Sequence, residues 1–172
     1  MDEVVLRALY SLDLHPKLNK FLRSYTRMGD GYGWGFILVY LVLTHPLMDL
    51  AVAFRRTAIV MLLCVPVYKF VKKRVKRPRP FALHDHVVAQ IPPLDEYSFP
   101  SGHTMNNLAA AISVASVMPE IQTILIALPI SWGLLRIYFG VHYISDVLAG
   151  IVLATLCALI GIQIDQFVGS LY

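Results

Sequence analysis

The chain has 172 residues, of which 57% are hydrophobic and only 15% are charged. A soluble domain carries about 25% charged residues, so this composition argues against a soluble globular protein and favours a small bundle of membrane helices. The net charge of +4 does not indicate nucleic acid binding, because the basic residues stand at the ends of apolar runs, where anionic lipid or phosphate is the expected partner.

The N-terminal segment, residues 1–28, is predicted to be an amphipathic helix that lies in the membrane interface. Apolar side chains such as Val4, Leu6 and Leu9 are interspersed with charged ones such as Asp2 and Arg7. A helix of this kind buries one face at the boundary between headgroups and acyl chains. The first residues are too few and too charged to form the apolar core of a cleavable signal peptide.

Five membrane-spanning helices are predicted along the rest of the chain. The turn between the first two is placed between Thr44 and Arg56, since neighbouring arginines favour water or headgroups. Some runs are shorter than the ~20 residues that cross a ~30 Å hydrocarbon core, so they require tilt or a thin bilayer. The apolar runs are residues 31–43, 57–71, 104–118, 121–137 and 146–168.

The expected fold is therefore an all-α integral membrane helix bundle that forms one domain over residues 1–172. The third span is rich in alanine, serine and asparagine, which predicts that it packs inside the bundle. Residues 72–100 are charged and proline-rich and form the longest predicted extramembrane loop, whose length favours a functional role. Counting the crossings places three polar clusters at one end of the bundle.

The first polar cluster runs from Lys72 to Pro80 and contains the alternating sequence Arg77-Pro78-Arg79-Pro80. Basic residues commonly flank the end of a membrane span, and this structural explanation stays open. The functional alternative is that proline fixes the backbone and holds the two guanidinium groups towards phosphate oxygens, which planar bidentate donors suit. The further cations of this segment suit a multiply anionic headgroup, and they suit any acidic lipid surface equally well.

The second polar cluster is Pro100-Ser101-Gly102-His103, directly before the third span. Ser101 is a suitable N-cap, and Gly102 allows the backbone to approach a ligand closely. The free N–H groups at the start of this helix form an anion site. An N-cap alone explains Ser101 but not a histidine at the membrane surface, so a functional site is the favoured interpretation.

The third polar cluster contains Arg136, His142 and Asp146 in an otherwise apolar stretch. Ionisable residues at a membrane edge indicate function. His142 and Asp146 are four residues apart and face the same way if they lie on one helix. A carboxylate bound to one ring nitrogen would leave the other nitrogen as a nucleophile. The structural alternative is a buried ion pair that locks the fifth helix.

Together the three clusters resemble the signature of the type 2 phosphatidic acid phosphatase superfamily. That signature is Lys, six residues and Arg-Pro; then Pro-Ser-Gly-His; then Ser-Arg, five residues, His, three residues and Asp. The resemblance covers roughly residues 29–150, and Leu135 replaces the family's serine, which predicts a weaker or rearranged phosphate contact without loss of mechanism. The matching positions are Lys72 with Arg79-Pro80, Pro100-Ser101-Gly102-His103, Arg136, His142 and Asp146.

The resemblance implies a role for each of these residues. His142 attacks phosphorus and forms a phosphohistidine, Asp146 orients its imidazole, and His103 serves as general acid and then as base. The phosphoryl oxygens are held by Lys72, Arg79, Arg136, Ser101 and the Gly102 amide. Because three cations neutralise the phosphoryl oxygens, no metal or cofactor is expected, and the one candidate metal sequence, His84-Asp85-His86, is interpreted as surface loop.

The resemblance also implies a substrate and a location. The expected substrate is a lipid phosphate monoester in a bacterial inner membrane, with lipid A 1-phosphate favoured and phosphatidylglycerophosphate or undecaprenyl pyrophosphate as alternatives. No nucleic acid and no obligatory protein partner is expected beside the bilayer. The positive-inside rule would place the basic site face in the cytoplasm, whereas the bacterial family members place it in the periplasm, which is preferred because several of these cations are catalytic.

Two rival functions follow from the same residues. A non-catalytic binder or transporter of polyanionic lipids could reuse the fold, but the joint presence of His103, His142 and Asp146 argues against it. A vanadate-dependent haloperoxidase uses a similar anion site, but those enzymes are soluble, which the five apolar runs contradict.

Overall fold

A computed structural model describes residues 1–12 and 14–171, and in these residues all regular secondary structure is helical. A π-helical turn at Met28–Tyr32 and a 3-10 turn at Pro119–Ile121 supplement the α-helices. The α-helices of the described residues are α1 (Asp2–Tyr10), α2 (Pro16–Arg27), α3 (Gly33–Thr44), α4 (Leu47–Val75), α5 (Pro80–Leu83), α6 (Gly102–Ala115), α7 (Gln122–Tyr138) and α8 (Ile144–Gly169). The all-α prediction is confirmed.

Helix α6 lies at the centre and packs against α4, α7 and α8. Its small side chains let the neighbouring backbones come close, and Met105, Leu108 and Ala109 are buried against α4 and α8. On α8, a Cβ at Gly161 would come within 2.5 Å of Val60, so only glycine permits this contact. The prediction that the third span packs inside the bundle is confirmed, although its helix begins at Gly102 and ends at Ala115.

Helix α4 is one continuous helix of 29 residues, about 44 Å long. The helix begins at Leu47 and not at Thr57, so the predicted start of the second run is wrong. The turn at His45-Pro46 lies within the predicted interval between Thr44 and Arg56. Arg55 and Arg56 remain helical because their Nε atoms donate to the two carboxylate oxygens of Asp165 on α8, at 2.7 and 2.9 Å. Both guanidinium groups are therefore paired with a buried carboxylate, although the Arg55 side chain itself is 49% exposed.

Three segments within the described ranges are long and apolar enough to cross a membrane: Leu47–Leu83, Pro119–Tyr138 and Ile144–Gly169. Helices α3 and α6 are shorter, with 12 and 14 residues. The number of five spans therefore stays a prediction. The long loop also begins later than predicted, because residues 72–75 form the last turn of α4.

The N-terminal segment forms two helices rather than one, and both rest on the end of the bundle where the polar clusters lie. Pro16 begins α2, as suits a first helical position. Leu6 of α1 is buried against Val87 and Ile137. Between α2 and α3 the backbone turns at Gly31, whose φ of 118° lies in the region that favours glycine.

Candidate active site

The three polar clusters surround one cavity of about 200 Å³. Arg79 Nη1 lies 3.3 Å from His142 Nε2, although the two residues come from the long loop and from the α7–α8 connection. Lys72 and Ser101 contact residues around the cavity without lining it. The lining residues include Gly29, Tyr68, Arg79, Asp95, Gly102, His103, Asn107, Arg136 and His142.

The His142–Asp146 pair is formed by a helix cap. His142 lies before α8, and Asp146 is the third residue of that helix. The expectation that both residues share a helix face is wrong, yet they meet: Asp146 Oδ2 accepts from the Tyr143 amide at 2.8 Å and lies 3.4 Å from His142 Nδ1. A carboxylate that closes the first turn is thereby aimed at the preceding imidazole.

The protonation state of His142 suits a nucleophile. Burial lowers the pKa of its imidazole to about 4, against the opposing effect of Asp146, so the ring is neutral at pH 7. Arg79 can only donate, and its Nη1 faces Nε2. This contact requires a lone pair on Nε2 and therefore places the proton on Nδ1, towards Asp146.

Ser101 caps α6 as predicted. Its Oγ accepts from the amide and the hydroxyl of Thr104, at 3.4 and 3.0 Å. Its own amide donates to the Asp146 carbonyl at 3.0 Å, which ties the start of α6 to the start of α8. A Cβ at Gly102 would lie 2.4 Å from the Tyr68 ring, so glycine is needed here for that close approach.

Asp30 is a site residue that the sequence motifs do not include. Its Oδ1 lies 3.4 Å from His103 Nδ1, close enough to pair with a protonated imidazole. Asn107 Nδ2 donates to the carbonyls of Gly29 and His103, at 2.9 and 2.7 Å, and so fixes the π-helical turn to α6. The one sequence signal is an aspartate between two glycines just before the first span.

Asp95 is the second site residue that the motifs miss. Its two carboxylate oxygens lie 2.6 and 2.7 Å from Lys72 Nζ, and Oδ1 lies 2.6 Å from Arg79 Nη2. The Tyr68 hydroxyl donates to the same carboxylate. Two cations predicted to hold phosphate therefore hold a carboxylate of the chain itself.

Arg136 is buried at the cavity, and its Nε has no hydrogen-bond partner among the described residues. Its carbonyl accepts from the amides of Val141 and His142, at 3.1 and 3.3 Å. The Arg136 carbonyl therefore supports the backbone of the α7–α8 connection that carries His142, while the Nε of its guanidinium group remains free to donate a hydrogen bond. Leu135, at the position of the family's serine, packs with the apolar cluster of Ile91 and Phe139.

Arg77 does not point at the cavity, contrary to the interpretation of the Arg-Pro sequence as a paired phosphate clamp. Its Nη1 donates to Asp146 at 2.9 Å, and its Nη2 donates to Asp2 at 2.7 Å. Asp2 also accepts from the Ser145 amide at 3.0 Å. Arg77 thus connects α1 with the carboxylate behind His142, and of the two arginines only Arg79 reaches the cavity.

The His84-Asp85-His86 sequence lies outside the cavity. His84 Nε2 is 3.4 Å from the Tyr143 hydroxyl, and the rings of His84 and His86 are 5.7 Å apart. Within residues 1–12 and 14–171, no group of three or more His, Cys, Asp or Glu side chains is placed to hold a metal ion.

The fold and the apolar helices indicate an α-helical membrane protein, with two histidines and two arginines gathered around one cavity. Residues 47–169 match the sequence model of the PAP2 superfamily, and the chain belongs to that superfamily, which confirms the resemblance inferred from the motifs. A lipid A 1-phosphatase of Rhizobium etli is 34% identical over 84 residues, which cover 46% of this chain and 36% of that protein. The chain thus matches about a third of the length of this relative.

Two further proteins show a longer likeness. An undecaprenyl-diphosphatase of Sulfolobus acidocaldarius is 24% identical over 152 residues, covering 87% of this chain and 71% of that protein. The crystal structure of Aquifex aeolicus LpxE superposes with a TM-score of 0.74 at 26% identity and covers 94% of each chain. This coverage extends beyond residues 47–169, which the family model matches.

Proposed function

We propose that this protein is a metal-independent membrane phosphatase that hydrolyses a lipid phosphate monoester through a phosphohistidine intermediate. The observation that carries the proposal is the cavity itself, which gathers a neutral imidazole, a second histidine and arginine side chains from four separate parts of the chain. Phosphoryl transfer requires chiefly positioning and neutralisation of charge on the phosphoryl oxygens.

The proposed reaction has two steps. His142 Nε2 attacks phosphorus, the P–O ester bond breaks, and His103 gives its proton to the departing alkoxide. Water then loses a proton to His103 and attacks phosphorus, the P–N bond breaks, and inorganic phosphate leaves with His142 regenerated. Asp146 stabilises the imidazolium that forms on His142, and the phosphoryl oxygens are held by Lys72, Arg79, Arg136, Ser101 and the Gly102 amide.

A lipid substrate is favoured over a soluble phosphate by an apolar groove beside the cavity. The groove has a volume of about 440 Å³, and Asn106 and Asn107 line both spaces. A phosphate in the cavity would therefore lie next to a surface suited to an acyl or prenyl chain. The other lining residues include Trp34, Leu38, Leu41, Phe54, Met61 and Val114.

Lipid A 1-phosphate is our first choice of substrate, because the relative from Rhizobium etli carries that activity in its name. Undecaprenyl pyrophosphate is the second candidate, favoured by the longer match to the Sulfolobus acidocaldarius protein. Phosphatidylglycerophosphate, a smaller lipid phosphate, is the third candidate substrate.

The decisive assay is a panel of these three lipid phosphates, presented to one detergent-purified preparation with EDTA present. Phosphate release from lipid A 1-phosphate should be fastest, should be inhibited by vanadate, and should leave a base-stable, acid-labile phosphoenzyme after quenching. Faster release from phosphatidylglycerophosphate or undecaprenyl pyrophosphate would overturn the choice of lipid. Lipid binding that persists in His142→Ala, with no turnover by the parent protein, would instead support a non-catalytic binder.

We also propose five membrane crossings in one domain, with residues 1–28 in the interface and the cavity facing the periplasm of a bacterial inner membrane. Helices α3 and α6 would complete the five as the first and third crossings, beside the three long apolar segments. A cysteine at Ala82, on the exposed surface of the loop, tests the orientation with an impermeant thiol reagent. The native Cys64 and Cys157 are buried and give little background. Labelling only after lysis would contradict the periplasmic orientation.

A further inference from the structure

The carboxylate of Asp95 occupies the donors that our proposed mechanism assigns to the phosphoryl group. Lys72 Nζ spans both of its oxygens at 2.6 and 2.7 Å, and Arg79 Nη2 reaches Oδ1 at 2.6 Å. The Tyr68 hydroxyl is the third side chain that donates to this carboxylate. Charge-assisted hydrogen bonds of this length are the stronger kind in proteins.

Burial and charge both show that Asp95 is held as an anion. The side chains of Lys72 and Arg79 are 7% and 2% exposed, so each is poorly solvated and depends on a protein or ligand partner. Burial raises the pKa of the Asp95 carboxyl, but hydrogen bonds from Lys72 and Tyr68 outweigh it and leave the pKa below the usual range. A carboxylate thus supplies the negative charge that these two cations require.

The position of Asp95 would allow its side chain to move away from the cavity. Its side chain is 29% exposed, unlike those of the two cations, and it lies in the stretch between α5 and α6 that has no regular helix. The cavity itself is lined by Asp95, Arg79 and His142 together. A phosphoryl group within reach of His142 would therefore meet the Asp95 carboxylate at Arg79.

We infer that Asp95 is an internal competitor of the substrate: it neutralises Lys72 and Arg79 in the empty site and is displaced when a phosphoryl group binds. This inference rests on the proposed function, because it takes these two cations as phosphoryl ligands. A phosphate monoester carries up to two negative charges and three terminal oxygens, so it offers the same donors more charge than a carboxylate. Asp95 thereby sets the affinity for phosphate.

The same exchange serves product release. Inorganic phosphate held by three buried cations would dissociate slowly, because its departure would leave Lys72 and Arg79 unpaired at low exposure. The return of the Asp95 carboxylate pairs both cations as phosphate leaves. Asp95 therefore weakens phosphate binding and speeds turnover.

The test compares Asp95→Asn with Asp85→Asn, which removes the same charge from an exposed position of the same loop. Binding of inorganic phosphate to the detergent-purified protein is measured by calorimetry, which needs no turnover. We expect Asp95→Asn to bind phosphate about 10-fold or more tightly, since one competing charge-assisted pair is removed, and Asp85→Asn to match the parent. Turnover by Asp95→Asn should fall if phosphate release limits the rate.

A second variant distinguishes the loss of the Asp95 charge from a general disturbance of the fold. Asp95→Glu keeps the charge but moves the carboxylate by one methylene, so its phosphate affinity should lie between those of the parent and Asp95→Asn. Unchanged or weaker phosphate binding in Asp95→Asn, at an unaltered unfolding temperature, would show that Asp95 is only a structural partner. Failure of the proposed function is distinguishable: the parent would then hydrolyse none of the lipid phosphates, while the calorimetric comparison would still stand.

Discussion

At each end of the bundle a carboxylate lies between two cations. The two ends differ in the buried polar atoms that remain without a hydrogen-bond partner. At the far end Asp165 is fully buried and accepts from Arg55 and Arg56, and Arg56 also donates to the Ser116 hydroxyl at 2.7 Å. At the cavity end Asp95 pairs with Lys72 and Arg79 in a similar way.

The cavity end nevertheless keeps buried polar atoms without partners. In the described part of the chain, five buried side-chain polar atoms lack a hydrogen bond. Three of them, Arg136 Nε and both ring nitrogens of His103, belong to residues that line the cavity, whereas Trp132 Nε1 and Thr57 Oγ1 do not. Buried polar groups are normally satisfied, so unsatisfied ones that line a cavity indicate a ligand site. The far end is an ion cluster, and the cavity end leaves buried donors of Arg136 and His103 without partners, as the binding site that we propose requires.

The largest expected effect is the loss of activity in His142→Ala. Removal of the nucleophile should lower kcat by about 10⁴-fold or more, by analogy with nucleophile deletions in other enzymes. Phosphate release from the preferred lipid is the measurement, and the unfolding temperature in detergent shows that the protein is intact. Residual activity within 10-fold of the parent would remove His142 from its proposed role.

A smaller and more selective effect is expected for Asp30→Asn. Asp30 lies 3.4 Å from His103 and should stabilise its protonated form, so the variant should lose about 10- to 100-fold in kcat on a lipid phosphate. This is at or below the low end of the roughly 10²- to 10⁴-fold contribution of general acid catalysis, because His103 itself remains. Hydrolysis of p-nitrophenyl phosphate should be nearly unchanged, because its leaving group needs little protonation.

Asp49→Asn is the matched control, since Asp49 lies in the first turn of α4, at the far end. An equal loss on both substrates in Asp30→Asn would indicate a purely structural role for the carboxylate and would leave His103 without its proposed partner.

Asp165→Ala tests the far end. The change leaves Arg55 and Arg56 without their shared carboxylate, so we expect the unfolding temperature in detergent to fall by several degrees. The kcat of the protein that remains folded should match the parent, because Asp165 is on the opposite end from the cavity. A selective loss of kcat at unchanged stability would show that the two ends are coupled.

The contrast between the two ends also explains what the sequence could predict. His103, His142, Asp146 and Arg79 stand in motifs whose spacing reflects local chemistry, such as a cap or a helix start, and the structure brings them to one cavity. The apolar runs of α7 and α8 predict their helices to within a few residues, because burial in lipid or protein requires continuous apolar sequence.

The features that the sequence does not predict correctly depend on partner residues far away in the chain. The continuity of α4 follows from Asp165, which is 110 residues from Arg55. No local sequence pattern predicts the ion pair between these two residues. Asp30 and Asp95 were missed for the same reason, since an aspartate in a loop has no periodicity that marks its partner. The role of Arg77 was misassigned because its neighbour Arg79 suggested a shared ligand, whereas Arg77 faces Asp146, 69 residues away.

The smallest expected effect concerns Arg77, which lies behind the proposed catalytic pair of His142 and Asp146 and does not line the cavity. In Arg77→Gln the Asp146 carboxylate loses a donor at 2.9 Å and Asp2 of α1 loses its contact with Arg77 but keeps those with Ser145, so we expect kcat to fall a few-fold while KM stays nearly constant. Arg77→Lys should recover part of the loss, because one ammonium group can reach only one of the two carboxylates.

Lys73→Gln provides the control for the charge, because this neighbouring lysine is exposed. A large rise in KM in Arg77→Gln would mean that Arg77 binds the headgroup directly, as the Arg-Pro sequence first suggested. A fall in kcat at constant KM would place Arg77 with Asp146 as a positioning residue, and would extend the active site to the N-terminal helix that precedes the residues matched by the family.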